Sequence, residues 1–229
     1  MSALKKIPKQ FFEKTAWEKG LFLCGMDEVG RGCLAGPVVV ASCILPHNAD
    51  YSLLKDSKIL TKEEREKAFS WISKRCFFST SVISPNIIDK VNIYQATILG
   101  MHKAFTQLLE VLPFESQLLK YLVVDAVPLV FDKNHLPKDL EIYSFPKGET
   151  YSKSIAAASI VAKVTRDRLM DKMAVAMPQF KFENHKGYGT KVHMDELRLY
   201  GPSILHRNSF LSNVNKDYVN DAKQQQTLF

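Results

Sequence analysis

Residues 21–45, LFLCGMDEVGRGCLAGPVVVASCIL, contain two apolar segments on either side of a glycine-rich loop. The segments Leu21–Met26 and Val38–Leu45 are short and largely apolar, and the second is rich in β-branched residues, which is typical of neighbouring strands in a sheet. Two adjacent carboxylates, Asp27 and Glu28, follow the first segment. We expect the rest of the chain to be arranged around this stretch.

The carboxylates and the loop after them each have two explanations. Asp27 and Glu28 lie beside an apolar segment, where ionised carboxylates are costly unless a cation or hydrogen-bond donors compensate them. They indicate a metal ion or a structural ion pair, or else a solvated turn. Arg31 lies between Gly30 and Gly32, which favours close approach of the backbone to an anion, or else simple turn geometry.

Composition limits the class of protein. The chain has 229 residues, of which 46% are hydrophobic, so it can bury a core as one domain or as a domain with an appendage. Its 31 basic and 24 acidic residues give a net charge of +7, which favours polyanionic partners without establishing one. The four cysteines show no metal-ligand spacing and predict reduced thiols. No apolar run approaches the ~20 residues of a membrane span, so we expect a soluble, cytoplasmic protein.

Five strands are expected. The strands beyond the first two follow apolar patterns and end at turn or polar residues: Cys76–Ile83, Tyr121–Val124 and Leu140–Phe145. Helices separate some of these strands. This order of elements predicts an α/β fold with a mixed sheet flanked by helices.

Helices are indicated by apolar spacing and by capping signals. Thr61 and Glu64 have the spacing of a capping box at the start of a helix that runs to about Lys74. The other helix candidates are Asn92–Leu112, Ile155–Ala176 and Val192–Leu199.

Four carboxylates lie at or near strand ends. Asp27, Glu28 and Asp125 end or adjoin apolar strands, and Glu149 follows the fifth strand. Converging carboxylates repel one another, and Mg²⁺ or Mn²⁺ would relieve that repulsion and support two-metal phosphodiester chemistry. Successive strand residues face opposite ways, so the first strand must end or twist for Asp27 and Glu28 to act together.

Other catalytic motifs are missing from the sequence. It contains neither a G-x-S-x-G elbow nor a G-x-x-x-x-G-K-[ST] phosphate loop. His185, His193 and His206 lack zinc-ligand spacing and are expected to be surface or packed residues. His185 and His206 lie in basic loops, where they could contact phosphate.

Taken together, these motifs are similar to those of bacterial ribonuclease HII. The resemblance extends in family order from about Leu21 to Phe210, nearly the whole chain. It depends on the following stretches: Gly25–Val40, Asp56–Lys58, Val123–Asp125, Lys147–Glu149, Ser154–Arg168, His185–Thr190, Tyr200–Pro202 and His206–Arg207.

The resemblance implies an RNase H-like fold with a mixed five-stranded sheet flanked by helices and a small helical C-terminal extension. The implied organisation is an N-terminal preamble, a catalytic domain, a substrate-binding extension and a flexible tail, at residues 1–20, 21–180, 181–215 and 216–229.

The resemblance also implies an activity. The implied activity is metal-dependent cleavage of the RNA strand of RNA/DNA hybrids. The same enzyme would cleave duplex DNA 5′ of single ribonucleotides. The second cleavage would serve ribonucleotide removal during replication and repair. A metal-activated water would leave 3′-hydroxyl and 5′-phosphate ends. The implied protein is a monomer without membrane attachment.

Site residues are implied by the same motifs. Asp27, Glu28, Asp125 and Glu149 would be catalytic and bind Mg²⁺ or Mn²⁺, with Glu149 at a position where the family usually has aspartate. The loop Gly30-Arg31-Gly32 would read the 2′-hydroxyl of the ribonucleotide, and Tyr188 would stack beside the next deoxyribose. The residues expected to follow phosphates are basic: Lys58, Lys163, Arg166, Lys186 and Arg207.

The C-terminal residues Gln225–Phe229, QQTLF, resemble the short Q-x-x-L-F peptides that dock bacterial replication proteins on the sliding clamp. An ordinary disordered terminus is the alternative. Two other functions also stay open: a DNA nuclease of the same fold, against which the glycine loop and Tyr188 argue, and a nucleic-acid-binding protein without activity, which the retained carboxylates disfavour.

Overall fold

The computed structural model describes residues 10–125, 136–146 and 148–211. In these ranges five strands form one mixed sheet, as expected from the sequence, and their order is β3-β2-β1-β4-β5. β1 pairs antiparallel with β2 and parallel with β4, and β4 pairs parallel with β5. The strands are β1 Phe22–Val29, β2 Val38–Ile44, β3 Phe77–Ile83, β4 Leu119–Asp125 and β5 Glu141–Phe145.

The two strands that flank the glycine-rich loop form the expected pair, with Cys24 opposite Ile44 and Val29 opposite Val39. Every residue of β2 is buried, which explains its largely apolar sequence. All four cysteines are free thiols, and Cys24, Cys33 and Cys43 are buried.

Six α-helices occur in the described ranges: α1 Phe11–Trp17, α2 Lys62–Arg75, α3 Pro85–Glu110, α4 Lys153–Ala176, α5 Phe182–His185 and α6 Lys191–Tyr200. The capping box of α2 is confirmed. The Glu64 backbone N–H donates to Thr61 Oγ1 at 3.2 Å, and the Thr61 backbone N–H donates to Glu64 Oε2 at 2.8 Å. None of the described helices is long and apolar enough to cross a membrane.

Helix α3 begins earlier than the sequence pattern indicates. It starts at Pro85, a favoured first helical residue, and kinks at Asn92, whose φ is 67°. The Asn92 side chain accepts hydrogen bonds from the backbone N–H groups of Tyr94 and Gln95. Asn92 therefore caps the second half of α3, which is the part that the apolar spacing predicted.

Helix α1 is part of a hydrophobic cluster. Phe12 is buried and its ring stacks on Phe145 at 5.5 Å, whereas Phe11 is 43% exposed. The Glu13 carboxylate accepts hydrogen bonds from Ser152 Oγ and the Ser154 backbone N–H, at 2.6 and 3.0 Å. Glu13 thus satisfies donors at the start of α4. Nothing in the sequence indicated this contact.

The described chain forms two compact units. The first unit takes its described residues from Met1–Val29, Val39–Val82 and Thr97–Thr165, and contains the sheet. The second unit takes its described residues from Gly30–Val38, Ile83–Ala96 and Arg166–Phe229. Its core contains Ala35, Met170, Ala174, Phe180, Phe182, Leu197 and Leu211. The domain boundaries predicted above stay a prediction.

Gly25 allows β1 to pack closely on the start of α4. A Cβ atom at residue 25 would lie 2.2 Å from the carbonyl carbon of Ser154, which is backbone and cannot rotate away. We expect Gly25→Ala to lower the free energy of unfolding by about 1–3 kcal/mol, measured by urea denaturation. The matched control is Gly32→Ala, because a Cβ there has no neighbour within 4 Å, and its change should stay within ~0.5 kcal/mol. Equal stability of the two variants would contradict this packing.

Candidate active site

Asp27 and Asp125 lie next to each other because of the register of two parallel strands. The last β1–β4 pair joins Met26 to Val124, and the two aspartates follow directly. Since residues in register on adjacent strands face the same side of a sheet, both carboxylates extend from one face. It is the face covered by α4, because a Cβ at Gly25, two residues before Asp27, would meet Ser154.

Glu28 belongs to the same group of charges despite strand alternation. β1 continues its pairing with β2 to Val29, but its pairing with β4 ends at Met26. Among the described residues, β1 beyond Met26 therefore pairs with β2 alone. The Glu28 backbone N–H donates to Asp27 Oδ1 at 2.8 Å, and the Glu28 carboxylate adds to the repulsion that Asp27 experiences.

Burial raises the pKa of Asp27 well above the ordinary value of an aspartate, and the charges of Glu28 and Asp125 raise it further. A hydrogen bond from Ser159 opposes this rise. The arrangement concentrates negative charge that a cation would stabilise.

Glu149 lies in a 3₁₀ turn, Gly148–Thr150, that is joined to Asp125. The Gly148 backbone N–H donates to Asp125 Oδ1 at 2.9 Å. Burial raises the pKa of Glu149, and the nearby carboxylates of Asp125 and Asp56 raise it further. All four predicted carboxylates thus lie in the first unit, where Asp125 interacts electrostatically with both Asp27 and Glu149.

Two serines that were not predicted as site residues connect Asp27 to the Asp56–Lys58 segment. Ser57 Oγ lies 2.8 Å from Ser159 Oγ, and Ser159 hydrogen-bonds the Asp27 carboxylate. Both serines are buried. Ser57 and Ser159 each lie inside a stretch that resembles the family, which is the sequence feature that could have marked them as site residues. The positions of two hydroxyl groups alone do not indicate a contact across 102 residues.

The predicted basic residues of the first unit differ in exposure. Lys58 is exposed and its charge acts on Glu149, whereas Lys163 is half-buried. The Lys58 backbone N–H donates to Asp56 Oδ1 at 2.9 Å, which fixes the local turn. Of these two lysines, Lys58 is the more accessible to a phosphate.

Arg207 holds the predicted recognition loop in the second unit. This arginine is fully buried, and its guanidinium donates to the carbonyl oxygens of Gly30, Arg31 and Gly36 at 2.7 to 3.0 Å. Burial lowers its pKa to about 10. The prediction that Arg207 contacts phosphate disagrees with this placement, because backbone carbonyls occupy its donors.

Arg166 is also buried, and it contacts the same loop. Its guanidinium donates to Pro37, Lys186 and Ala35 carbonyl oxygens at 2.8 to 3.1 Å. A Cβ at Gly30, whose φ is 94°, would lie 2.2 Å from Arg166 Nε, so this glycine is required both by its backbone conformation and by close approach. Arg166 is likewise not placed as the predicted phosphate contact.

Tyr188 is 40% exposed, and its ring lies 5.8 Å from the Arg166 guanidinium carbon. Burial raises the pKa of its phenol, and a hydrogen bond with Cys33 adds to this effect. Lys186 forms an ion pair with Asp171. Gly30, Arg31, Gly32, Lys186 and Tyr188 therefore all lie in the second unit.

Metal binding is supported by donor chemistry rather than by a formed ligand cage. In residues 10–125, 136–146 and 148–211, no group of three or more His, Cys, Asp or Glu side chains is arranged to hold an ion. The donors near Asp27 are hard carboxylate oxygens that repel one another, which suits Mg²⁺ or Mn²⁺. The residues fit such an ion chemically.

Comparison with known proteins identifies relatives of the chain. Residues 24–213 match the ribonuclease HII family profile. The chain is 42% identical over 200 residues to ribonuclease HII of Lactobacillus gasseri, covering 87% of this chain and 74% of the relative. It is 41% identical over 201 residues to ribonuclease HII of Bacillus subtilis, with 87% and 73% covered.

Solved structures of similar fold support the architecture. The ribonuclease H2 of Pyrococcus horikoshii has a TM-score of 0.65 and 24% identity, with 86% of this chain and 99% of that chain covered. Bst-RNase HIII, solved in complex with Mn²⁺, has a TM-score of 0.65 and 19% identity, with 91% and 73% covered.

The charge on Asp27 gives a stability test. Its raised pKa means that the folded chain holds a proton more tightly than the unfolded chain, so in metal-free buffer stability falls as the pH rises from the ordinary aspartate value through the raised one. At neutral pH, Asp27→Asn should therefore increase the free energy of unfolding by about 1–2 kcal/mol. Mg²⁺ or Mn²⁺ should raise the melting temperature of the wild type and leave the variant nearly unchanged.

Asp139→Asn is the matched control for that test, because it removes one carboxylate charge at an exposed position of the same unit. Its stability and its response to the metal should equal those of the wild type. A less stable Asp27→Asn protein that still gains stability from Mn²⁺ would contradict the site.

Proposed function

Because the chain belongs to the ribonuclease HII family, whose members cleave the RNA strand of RNA/DNA hybrids, we propose that it also cleaves duplex DNA 5′ of single misincorporated ribonucleotides. The products would be 3′-hydroxyl and 5′-phosphate ends. Such an endonuclease would begin ribonucleotide removal during replication and repair.

The observation that carries this proposal is the pair Asp27 and Asp125 at the ends of parallel strands, with Glu28 beside them. Hydrolysis of a phosphodiester needs a nucleophile and stabilisation of the leaving oxygen, and hard carboxylates can supply both through divalent ions. At this strand end the charges of Glu28 and Asp125 act on Asp27 in addition to its burial.

Asp27, Glu28 and Asp125 would hold Mg²⁺ or Mn²⁺, which when bound activates water and stabilises charge on the reacting phosphate. Ser159 orients the Asp27 carboxylate, and the Gly148 backbone N–H orients that of Asp125. Glu149 would be the fourth ligand, from a turn fixed to Asp125 by this same hydrogen bond.

Recognition of the ribonucleotide is assigned to the second unit. Arg207 and Arg166 bind the carbonyl oxygens of the Gly30–Pro37 loop, so the loop has a defined backbone before substrate arrives. Gly30, Arg31 and Gly32 would read the 2′-hydroxyl, and the exposed part of Tyr188 would stack beside the neighbouring sugar.

Phosphate binding is assigned to lysines. Lys58, Lys163 and Lys186 would follow the backbone of the duplex, giving an affinity that falls with salt concentration. Arg166 and Arg207 are reassigned from phosphate contact to positioning of the recognition loop, because both are buried on carbonyl oxygens.

The remaining predictions follow from the family. We propose that residues 21–180 form the catalytic domain and residues 181–215 a substrate-binding extension. The monomeric state and cytoplasmic location stay predictions.

A substrate panel tests the proposed activity. Duplex DNA with one ribonucleotide, an RNA/DNA hybrid, an all-DNA duplex and an RNA/RNA duplex are each incubated with Mg²⁺, Mn²⁺ or a chelator. We expect cleavage of the first two with metal only, because the reaction needs both the ion and a 2′-hydroxyl on a hybrid-like duplex. End labelling should show 3′-hydroxyl and 5′-phosphate products.

Asp125→Asn is the control in that assay, since it keeps the size of the side chain and the acceptor for the Gly148 N–H. Turnover should be abolished while hybrid binding persists. Cleavage of the all-DNA duplex would favour a DNA nuclease of the same fold, and binding without cleavage by the wild type would favour a silent binding protein. Either result overturns the proposal.

The C-terminal residues Gln225–Phe229 suggest a partner, although they lie outside the described residues. A structurally similar protein, the RNase HII of Archaeoglobus fulgidus, was solved in complex with PCNA; its TM-score is 0.62 at 24% identity, with 82% of this chain and 94% of that chain covered. We propose that this chain binds a sliding clamp through the Q-x-x-L-F resemblance of its tail, with Leu228 and Phe229 as apolar anchors.

A pull-down with purified clamp tests the tail. The full-length chain should be retained, whereas a chain ending at Gln224 and the double variant Leu228→Ala, Phe229→Ala should not, because the apolar anchors are gone. Cleavage by the shortened chain should be unchanged. Equal retention of all three proteins, or retention of none, would exclude this mode of binding.

A further inference from the structure

Three histidine rings form a buried cluster in the second unit that the proposed reaction does not use. His185, His193 and His206 are only 6%, 0% and 2% exposed. The rings of His185 and His193 stack at 4.2 Å, and those of His193 and His206 lie 5.2 Å apart. Phe182 contacts all three rings. The sequence predicted surface or packed histidines, with His185 and His206 able to contact phosphate; all three are packed.

The hydrogen bonds of His206 and His193 define where their protons lie. The Ser203 backbone N–H donates to His206 Nδ1 at 2.9 Å, so the proton of neutral His206 is on Nε2. His206 Nε2 is 3.0 Å from His193 Nε2, which must then accept. His193 consequently carries its proton on Nδ1 and donates it to the Tyr188 carbonyl oxygen at 2.9 Å. The hydrogen bonds therefore form one chain in which Ser203 donates to His206, His206 to His193 and His193 to Tyr188.

His185 supports the residue before Tyr188. The Gly187 backbone N–H donates to His185 Nδ1 at 3.1 Å, so His185 Nε2 donates to Glu196 at 3.0 Å. The Gly187 carbonyl oxygen in turn accepts from the backbone N–H groups of Leu34 and Ala35, at 2.8 and 3.2 Å. The segment that carries Tyr188 is therefore fixed to the loop that follows Gly32.

We propose that His193 and His206 are positioning residues for Tyr188, holding its backbone in the place from which its ring meets the substrate. This inference rests on the proposed function of Tyr188 in ribonucleotide recognition. It extends that function to a pair of buried residues that need not touch the substrate.

The environment of the cluster favours neutral rings. Burial lowers the pKa of His206 to about 4, and His193 adds to this effect. Burial also lowers the pKa of His193, with His185 lowering it further and the Tyr188 carbonyl and Glu196 raising it. Between pH ~4 and the ordinary value of 6.5 the unfolded chain binds more protons, so the stability contributed by the cluster is complete above this window and declines within it.

Two substitutions of His193 separate its hydrogen bond to the Tyr188 carbonyl oxygen from its hydrogen bond with His206. Asparagine places an amide near the Nδ1 position and can still donate to Tyr188, whereas glutamine places its amide near Nε2 and can still pair with His206. The first readout is the ¹⁹F NMR signal of Tyr188 in substrate-free protein labelled with 3-fluorotyrosine, assigned with Tyr188→Phe. The second is the ratio of cleavage rates on duplexes with one ribonucleotide and on continuous hybrid.

We expect His193→Gln to shift the Tyr188 signal and to lower the cleavage ratio by about three- to tenfold, the effect of one lost hydrogen bond. His193→Asn should leave both close to the wild type. If His193→Gln does not fold, His206→Asn replaces it, because it keeps an acceptor for Ser203 and removes the donor that holds the His193 proton on Nδ1, where it bonds Tyr188. Acidification of the wild type should shift the Tyr188 signal with a midpoint below pH 6.5.

The inference is overturned if the Tyr188 signal shifts equally in His193→Asn and His193→Gln, or if it shifts in neither variant. Failure of the proposed function is seen separately, as a wild-type protein that cleaves no ribonucleotide-containing duplex, while the substrate-free NMR comparison still decides whether the histidines position Tyr188.

Discussion

The pairing of β1 with β4 is the interaction on which the candidate active site depends. These strands are parallel and in register up to Met26 and Val124, so Asp27 and Asp125 must follow side by side. Their closeness raises the pKa of Asp27 in addition to the effect of burial. A sheet that ends in repelling carboxylates gives up stability for the proposed metal site, a compromise found at many functional sites.

Buried hydrogen bonds position the carboxylates proposed for catalysis and the loop proposed for ribonucleotide recognition. In the first unit Ser159 and the Gly148 N–H orient Asp27 and Asp125. In the second unit the guanidinium groups of Arg207 and Arg166 bind carbonyl oxygens of the recognition loop. Each arginine satisfies several backbone acceptors at once, which compensates for burying its charge. The side chains proposed to meet the substrate are therefore held by residues that need not touch it.

The strands, the mixed sheet and most of the helices were predicted correctly because apolar spacing and capping act locally, whereas the start of α3 and the short helix α5 were not predicted. Strand-end position also indicated Asp27 and Asp125 before their neighbours were known. Partnerships across the chain were not predictable, since nothing near Glu13 indicates α4 and nothing near Ser159 indicates Ser57. Arg166 and Arg207 show the same limit: a basic residue in a basic segment suggests phosphate, and only the structure reveals that carbonyl oxygens occupy its donors.

We propose that Asp27 and Asp125 bind the same metal ion. Mn²⁺ binding measured by electron paramagnetic resonance, for the wild type, Asp27→Asn, Asp125→Asn and the double variant, tests it most directly. If the ion joins both carboxylates, each single variant loses most of the affinity and the double variant loses little more. Independent, additive losses from the two substitutions, or unchanged Mn²⁺ binding in either single variant, would show that the two carboxylates do not share an ion.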